Sequence, residues 1–174
     1  GQILVTTDVD LSYALDDIAT VVKGLRQPDE RGVTAQIIAG DRRHPASRLD
    51  LLMGSPGHLA MRQLLSTVFS LFVRAIFRLP IRDTQCGLKG FRRDAAAKIV
   101  ERLRTGRFLA DIEVFLIARE LGLSVRTVPV HLTCLSRDST VRVVRDLPAV
   151  VRDAIIIRVT QARGRYGRTV AHRL

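Results

Sequence analysis

The chain has 174 residues and a mass of 19.4 kDa, the size of one domain that buries about two thirds of its unfolded surface. With 47% hydrophobic residues it is neither disordered nor collagen-like, and no apolar run reaches the ~18–20 residues needed to span a bilayer. Twenty-five arginines and three lysines against 17 acids give a net charge of +11, which points to an anionic partner: phosphate groups, nucleic acid or an anionic membrane surface.

Ile3 to Thr7 is a short β-prone run that stops at Asp8 and reads as a buried parallel strand. Ser12 is placed to cap a helix from Tyr13 to Arg26, with Asp16 and Asp17 in its first turn. Pro28 to Gly32 is a turn, and Ala35 to Ala39 a second strand closed by Gly40. Asp41 to Gly57 is a basic loop, followed by a long helix over His58 to Arg78 that Leu79-Pro80 ends. Ile81 to Gly90 is irregular. Helices are expected from Asp94 to Leu103 and from Phe108 to Leu121, and a strand from Ser124 to Val130. A further helix covers Val141 to Val159, perturbed near Pro148. Residues 160–174 form a basic flexible tail behind a domain over 1–159. Strands alternating with helices predict an α/β domain with ligands at the carboxyl ends of the strands.

Five strings carry chemistry. Asp8-Val9-Asp10 ends a hydrophobic strand, and two carboxylates so spaced can share one hard cation, Mg²⁺ or Mn²⁺, that neutralises a diphosphate leaving group. Ser12 would add an oxygen or hold a metal-bound water. An ordinary capped turn accounts for the same residues. Arg42, Arg43, Arg48 and Arg62 form a basic group, with Ser66 one helical turn after Arg62, so that Arg62 and Ser66 can clasp one phosphate. A solvated basic face is the plainer reading. Asp83-Thr84-Gln85-Cys86-Gly87-Leu88-Lys89-Gly90-Phe91-Arg92-Arg93 packs an acid, two glycines and three cations into eleven positions. Here function outweighs a simple turn: Asp83 would orient or deprotonate an acceptor, the glycines would admit a ligand to the backbone, and Lys89 with Arg92 or Arg93 would bind phosphate. Asp111 and Glu113 are either helix-dipole acids or site acids. Arg137 would close over a diphosphate, in a loop where Ser139 can equally cap the next helix. Four histidines show no metal spacing, and Cys86 and Cys134 read as packed thiols, too few for a disulfide framework.

Taken in order, these strings resemble family 2 glycosyltransferases of the polyprenyl-phosphate type, to which dolichyl-phosphate mannose and glucose synthases belong. Asp8-Val9-Asp10-Leu11-Ser12 is similar to the family's metal motif, Arg62 with Ser66 to its Arg-x-x-x-Ser pair, and the 83–91 string to its most diagnostic segment. Ala39-Gly40-Asp41-Arg42-Arg43 looks like a Gly-Ser-Arg strand end, and Leu109-Ala110-Asp111-Ile112-Glu113 stands where Phe-Asp-x-Glu is usual. The resemblance implies a GT-A-type (Rossmann-like) fold, a mostly parallel sheet flanked by helices. It implies transfer of mannose or glucose from GDP-mannose or UDP-glucose to a polyprenyl (dolichyl) phosphate, by a peripheral protein at the cytoplasmic face of a membrane. Asp8 and Asp10 would hold the metal, with Asp10 and Asp83 at the reacting centre. Arg62, Ser66 and Arg137 would hold the acceptor phosphate, and Arg42 a loop phosphate. The family's opening strand, its Pro-x-Tyr-Asn-Glu-like segment and the following strand–helix units have no counterpart here. The expectation is therefore an N-terminally truncated domain, inactive alone or completed by a partner chain that covers an exposed sheet edge. A catalytically dead remnant and a basic phosphate- or nucleic-acid-binding module are the alternatives. Nucleic acid is disfavoured, because only 5% of residues are aromatic and no readout motif appears.

Overall fold

A computed structural model describes residues 1–8, 12–49, 67, 71, 75–106, 109–132 and 143–166. Its elements, in chain order, are β1 (Ile3–Thr6), α1 (Leu15–Arg26), β2 (Ile37–Asp41), β3 (Arg48–Leu49), β4 (Lys89–Arg92), α2 (Arg93–Val100), α3 (Ala110–Glu120), β5 (Val125–Pro129), β6 (His131–Leu132) and α4 (Val143–Ala162). Four strands form one sheet in the order β1-β4-β2-β5, and β3 with β6 forms a small parallel pair. Of the helix expected over 58–78, Thr67, Leu71 and residues 75–77 are helical, and the rest lies outside the described residues.

The α/β layering expected from the sequence is present, but the sheet is mixed rather than mostly parallel. β4 runs antiparallel to both β1 and β2, while β2 and β5 are parallel. β1, β2 and β5 therefore share one direction, and a single reversed strand lies between β1 and β2. β1 is an edge strand paired antiparallel, not a buried parallel one, and its outward residue Leu4 is half exposed. β4 begins on Lys89 and Gly90, at the end of the segment expected to be irregular. Gly90 makes it a strand that a helix can press against: a Cβ there would overlap Val21 and lie 2.9 Å from Leu25, so α1 rests directly on the β4 backbone.

Alternation along β2 sends Ile37 and Ala39 to one face and Ile38 to the other. Ile38 joins Val21 and Leu25 of α1, with Leu88 and Val130. On the opposite face Ile37 and Phe91 pack with Ile99 of α2, Ile112, Phe115 and Leu116 of α3, and Ile157 of α4. Asp16 and Asp17 begin α1, and Lys23 and Arg26 end it, as the helix dipole favours. Ser12 does not cap α1, because the N-cap is Ala14, which makes no side-chain cap bond. The packed chain also runs past residue 159. α4 continues to Ala162, and Thr160 and Tyr166 are buried, so the chain is anchored to the core as far as residue 166 although residues 162–165 are exposed. Among the described residues no helix is long and apolar enough to cross a membrane.

Candidate functional site

The carboxyl ends of β1, β2 and β5 lie along one edge of the sheet. The reversed strand β4 brings its leading segment, residues 83–88, to that same edge, because Lys89 pairs with both Thr6 and Ala39. Asp8, Arg42, Asp83 and Lys89 therefore meet there although they span more than eighty residues of chain, the placement expected for a ligand site in an α/β sheet.

Asp8 follows β1 with an exposed carboxylate. Tyr13, buried, donates its phenol to Asp8 Oδ2 at 3.1 Å and accepts the Gly87 N–H at 2.9 Å. The Cys86 thiol approaches the same phenol oxygen at 3.5 Å. Gly87 is glycine for a steric reason, since a Cβ there would collide with the Asp8 carboxylate. Burial, with Cys86 and Asp8 adding to it, pushes the Tyr13 phenol well above its usual value, so it stays a donor. Burial likewise raises the Cys86 thiol, which remains neutral and is no nucleophile.

Arg42 grips Asp83 as a fork: Nε donates to Oδ2 at 2.7 Å and Nη2 to Oδ1 at 2.9 Å. The Arg42 and Gln85 backbone N–H groups donate to the same carboxylate at 3.1 and 3.2 Å. Burial alone would raise the Asp83 carboxyl, but Arg42 outweighs it and holds the group below the usual range. Burial opposes the Arg42 charge, and Asp83 more than offsets that, so the guanidinium is cationic throughout. A carboxylate held this far down is a weak base, so the geometry makes Asp83 the anchor of Arg42 rather than a proton acceptor. Beside it, the buried Gln85 side-chain nitrogen has no hydrogen-bond partner among the described residues.

Lys89 is 3% exposed. Its amine lies 3.1 Å from Asp111 Oδ1 and donates to the Cys86 carbonyl, so it braces the glycine turn under Asp8 instead of standing open to a phosphate. Asp111 thus borders the site through Lys89. Glu113 does not. Fully buried, it accepts the N–H groups of Arg104 at 3.0 Å and Thr105 at 2.8 Å, the Thr105 hydroxyl at 2.7 Å and the Tyr166 phenol at 2.7 Å. Glu113 fastens the segment after α2, and Tyr166 beyond α4, onto α3. Arg92 lies apart for a simple reason. In a strand, three residues carry it ~10 Å from Lys89, to a pairing with Ile3 at the opposite end of the sheet. Ser12 is buried. Asp10, Arg62, Ser66 and Arg137 lie outside the described residues. The sequence reading missed Tyr13 and Tyr166. These are the chain's two tyrosines, and both donate to a carboxylate the sequence had singled out. Their scarcity beside acid-rich strings was the available signal.

No family model matches the chain. Curated proteins do. It is 32% identical over 95 residues to a dolichyl-phosphate beta-glucosyltransferase of Dictyostelium discoideum, covering 49% of this chain and 29% of that protein. It is 28% identical over 133 residues to the dolichyl-phosphate beta-glucosyltransferase of Homo sapiens, covering 76% of this chain and 40% of that protein. It is 27% identical over 130 residues to a UDP-N-acetylglucosamine–dolichyl-phosphate N-acetylglucosaminyltransferase of Methanococcus voltae, covering 75% and 47%. The chain thus spans less than half the length of these relatives. Its ordered motifs, its helix-flanked sheet and these relatives make the chain similar to the dolichyl-phosphate glycosyltransferases and support a family 2-like, polyprenyl-phosphate identity.

Proposed function

We propose that this chain carries the phosphate-handling part of an enzyme that transfers a hexose, with glucose favoured, from a nucleotide sugar to a polyprenyl (dolichyl-type) monophosphate. The observation that carries this reading is Asp8, presented at a strand end on a glycine, aimed by Tyr13, and flanked by the Arg42–Asp83 pair. An acceptor phosphate oxygen attacks the anomeric carbon of the donor, and the bond from that carbon to the nucleoside diphosphate breaks. The attacking oxygen is already anionic near neutral pH, so no strong base is required, in keeping with the depressed Asp83. Arg42, fixed by Asp83, holds a cation where phosphate oxygens gather, and Lys89 keeps the Cys86–Gly87 turn in place beneath Asp8. Alignment and charge do most of the work.

Asp8 fits a divalent cation, Mg²⁺ or Mn²⁺: it is an exposed oxygen donor whose position is set by one hydrogen bond and by the absence of a side chain at Gly87. The described residues contain no cluster of three ligating side chains, so diphosphate oxygens would complete the set along with Asp10. When bound, the ion would neutralise the departing diphosphate.

The lipid acceptor puts the reaction at a membrane surface, and α4 supports that placement. Val151, Ile155 and Val159 are exposed at four-residue spacing on one face, Ile155 at 58%, beside exposed Arg152 and Arg158. An apolar stripe edged by cations suits an anionic interface.

The test is transfer from UDP-glucose, and separately from GDP-mannose, to dolichyl phosphate in anionic vesicles with Mn²⁺. Lipid-linked hexose is expected from the chain supplied with the strand–helix segments that have no counterpart in it, with Asp8→Asn at least 100-fold slower. Absence of product from both donors, or an unimpaired Asp8→Asn variant, refutes the proposal.

A further inference from the structure

The sheet end remote from Asp8 holds a cleft of about 650 Å³ edged by Arg26, Arg92, Arg93 and Asp94, with Ile3 and Leu25 in its lining. We propose that this cleft is a second anion site, one that takes a diphosphate group.

Arg92 is the N-cap and Arg93 the first residue of α2. Cations at the positive end of a helix, adjacent to each other, are destabilising, and only Asp94 offsets them locally. Arg26 enters the same cleft from the last turn of α1. None of the three guanidinium groups has a hydrogen bond or ion pair among the described residues, whereas Arg42, Arg102, Arg119, Arg126 and Arg152 are all engaged. The corner that presents them is rigid: the Arg92 N–H donates to Gln36 O at 2.9 Å and the Arg93 N–H to Gln2 O at 3.0 Å. Three arginines and one aspartate leave two positive charges in excess. Guanidinium forks match phosphate oxygens in pairs, and a diphosphate offers enough oxygens to engage forks from both helices at once. The free energy lost to like-charge crowding at α2 is recovered when the anion binds. The cleft is separate from the Asp8 edge, because Arg92 and Lys89 stand at opposite ends of β4, with Gly90 and Phe91 between them.

The test is a backbone amide NMR titration of the full chain at low salt with a chelator present, using inorganic pyrophosphate and then UDP. Saturable shifts are expected at Gln2, Arg93, Asp94 and Ala97 with both ligands, and orthophosphate should bind at least tenfold more weakly. The Arg92→Gln/Arg93→Gln double variant should lose at least tenfold in pyrophosphate affinity, while its Tm without anion is unchanged or higher. Arg93→Lys should keep part of the affinity. Orthophosphate binding as tightly as pyrophosphate, equal affinity in the double variant, or shifts centred on Gly87 would each overturn the proposal.

Discussion

Tyr13 and Asp8 face each other across the turn that ends β1, with 3.1 Å between the phenol oxygen and Oδ2. The same oxygen accepts the Gly87 N–H, so one buried hydroxyl ties the strand end to the 83–91 string. Tyr13→Phe removes both bonds and leaves the Gly87 N–H without its partner. That costs about 1–3 kcal/mol of stability, and Asp8 is no longer aimed. Transfer should fall at least tenfold in kcat. Chemical denaturation and a KM-against-kcat comparison check the two effects separately.

The two glycines of the 83–91 string predict opposite failures. Gly87→Ala places a methyl where the Asp8 carboxylate sits, so activity should be lost while Tm changes little, since an exposed side chain can move aside. Gly90→Ala drives a methyl into Val21 and Leu25. Overpacking between β4 and α1 should cost about 1–3 kcal/mol, which for a domain of this size lowers Tm by roughly 2–4 °C per kcal/mol. Thermal scans and transfer assays on both variants distinguish the outcomes.

Asp83→Asn removes the charge that Arg42 clasps. With Arg42 about a third exposed, the loss of charge-assisted hydrogen bonds should amount to roughly 1.5–3 kcal/mol. The pH dependence has a definite sign. Asp83 is depressed in the folded state, so the unfolded chain binds the proton first as pH falls. Its stabilisation is complete above about pH 5 and is lost progressively below about pH 4. Denaturant titrations between pH 6 and pH 3 should show a steeper loss in the wild type than in Asp83→Asn.

Much of the architecture could be read from the residues, and the failures share a cause. The βα alternation, the acidic start of α1 and the alternating strand at Val125–Pro129 follow from local pattern. β4 did not, because Lys89-Gly90-Phe91-Arg92 is four residues long and its glycine serves a helix seventy positions earlier. Lys89 and Arg92 looked equivalent as loop cations. Strand pairing separates them to opposite ends of the sheet. Asp8, Arg42 and Asp83 stood out by type and spacing, whereas the roles of Tyr13 and Tyr166 depend on partners that only tertiary packing supplies.

Tyr166 and Glu113 extend that point to a test of the chain's end. Tyr166→Phe leaves Glu113 Oε1 with only the Arg104 N–H and should cost about 1–2 kcal/mol. Tyr166→Ala also empties a fully buried position, for about 3–5 kcal/mol. Hydrogen exchange should quicken first at Arg104 and Thr105, the residues Glu113 pins, and transfer activity per folded molecule should hold.

On α4, Ile155→Glu places a charge in the middle of the exposed apolar stripe. Sedimentation with vesicles containing anionic lipid should show binding reduced several-fold, with Tm unaffected, and Arg158→Glu should weaken it further at low salt.

The reversed strand between β1 and β2 has a consequence for how the molecule assembles. β1 and β2 share no hydrogen bonds with each other, so the first strand–helix–strand segment cannot close by itself as it leaves the ribosome. It must keep a strand-wide slot open until Arg92 has been synthesised, some fifty residues after β2 ends. Sheet closure therefore waits on a late, sequence-distant segment, and folding should be slow for a chain of this length.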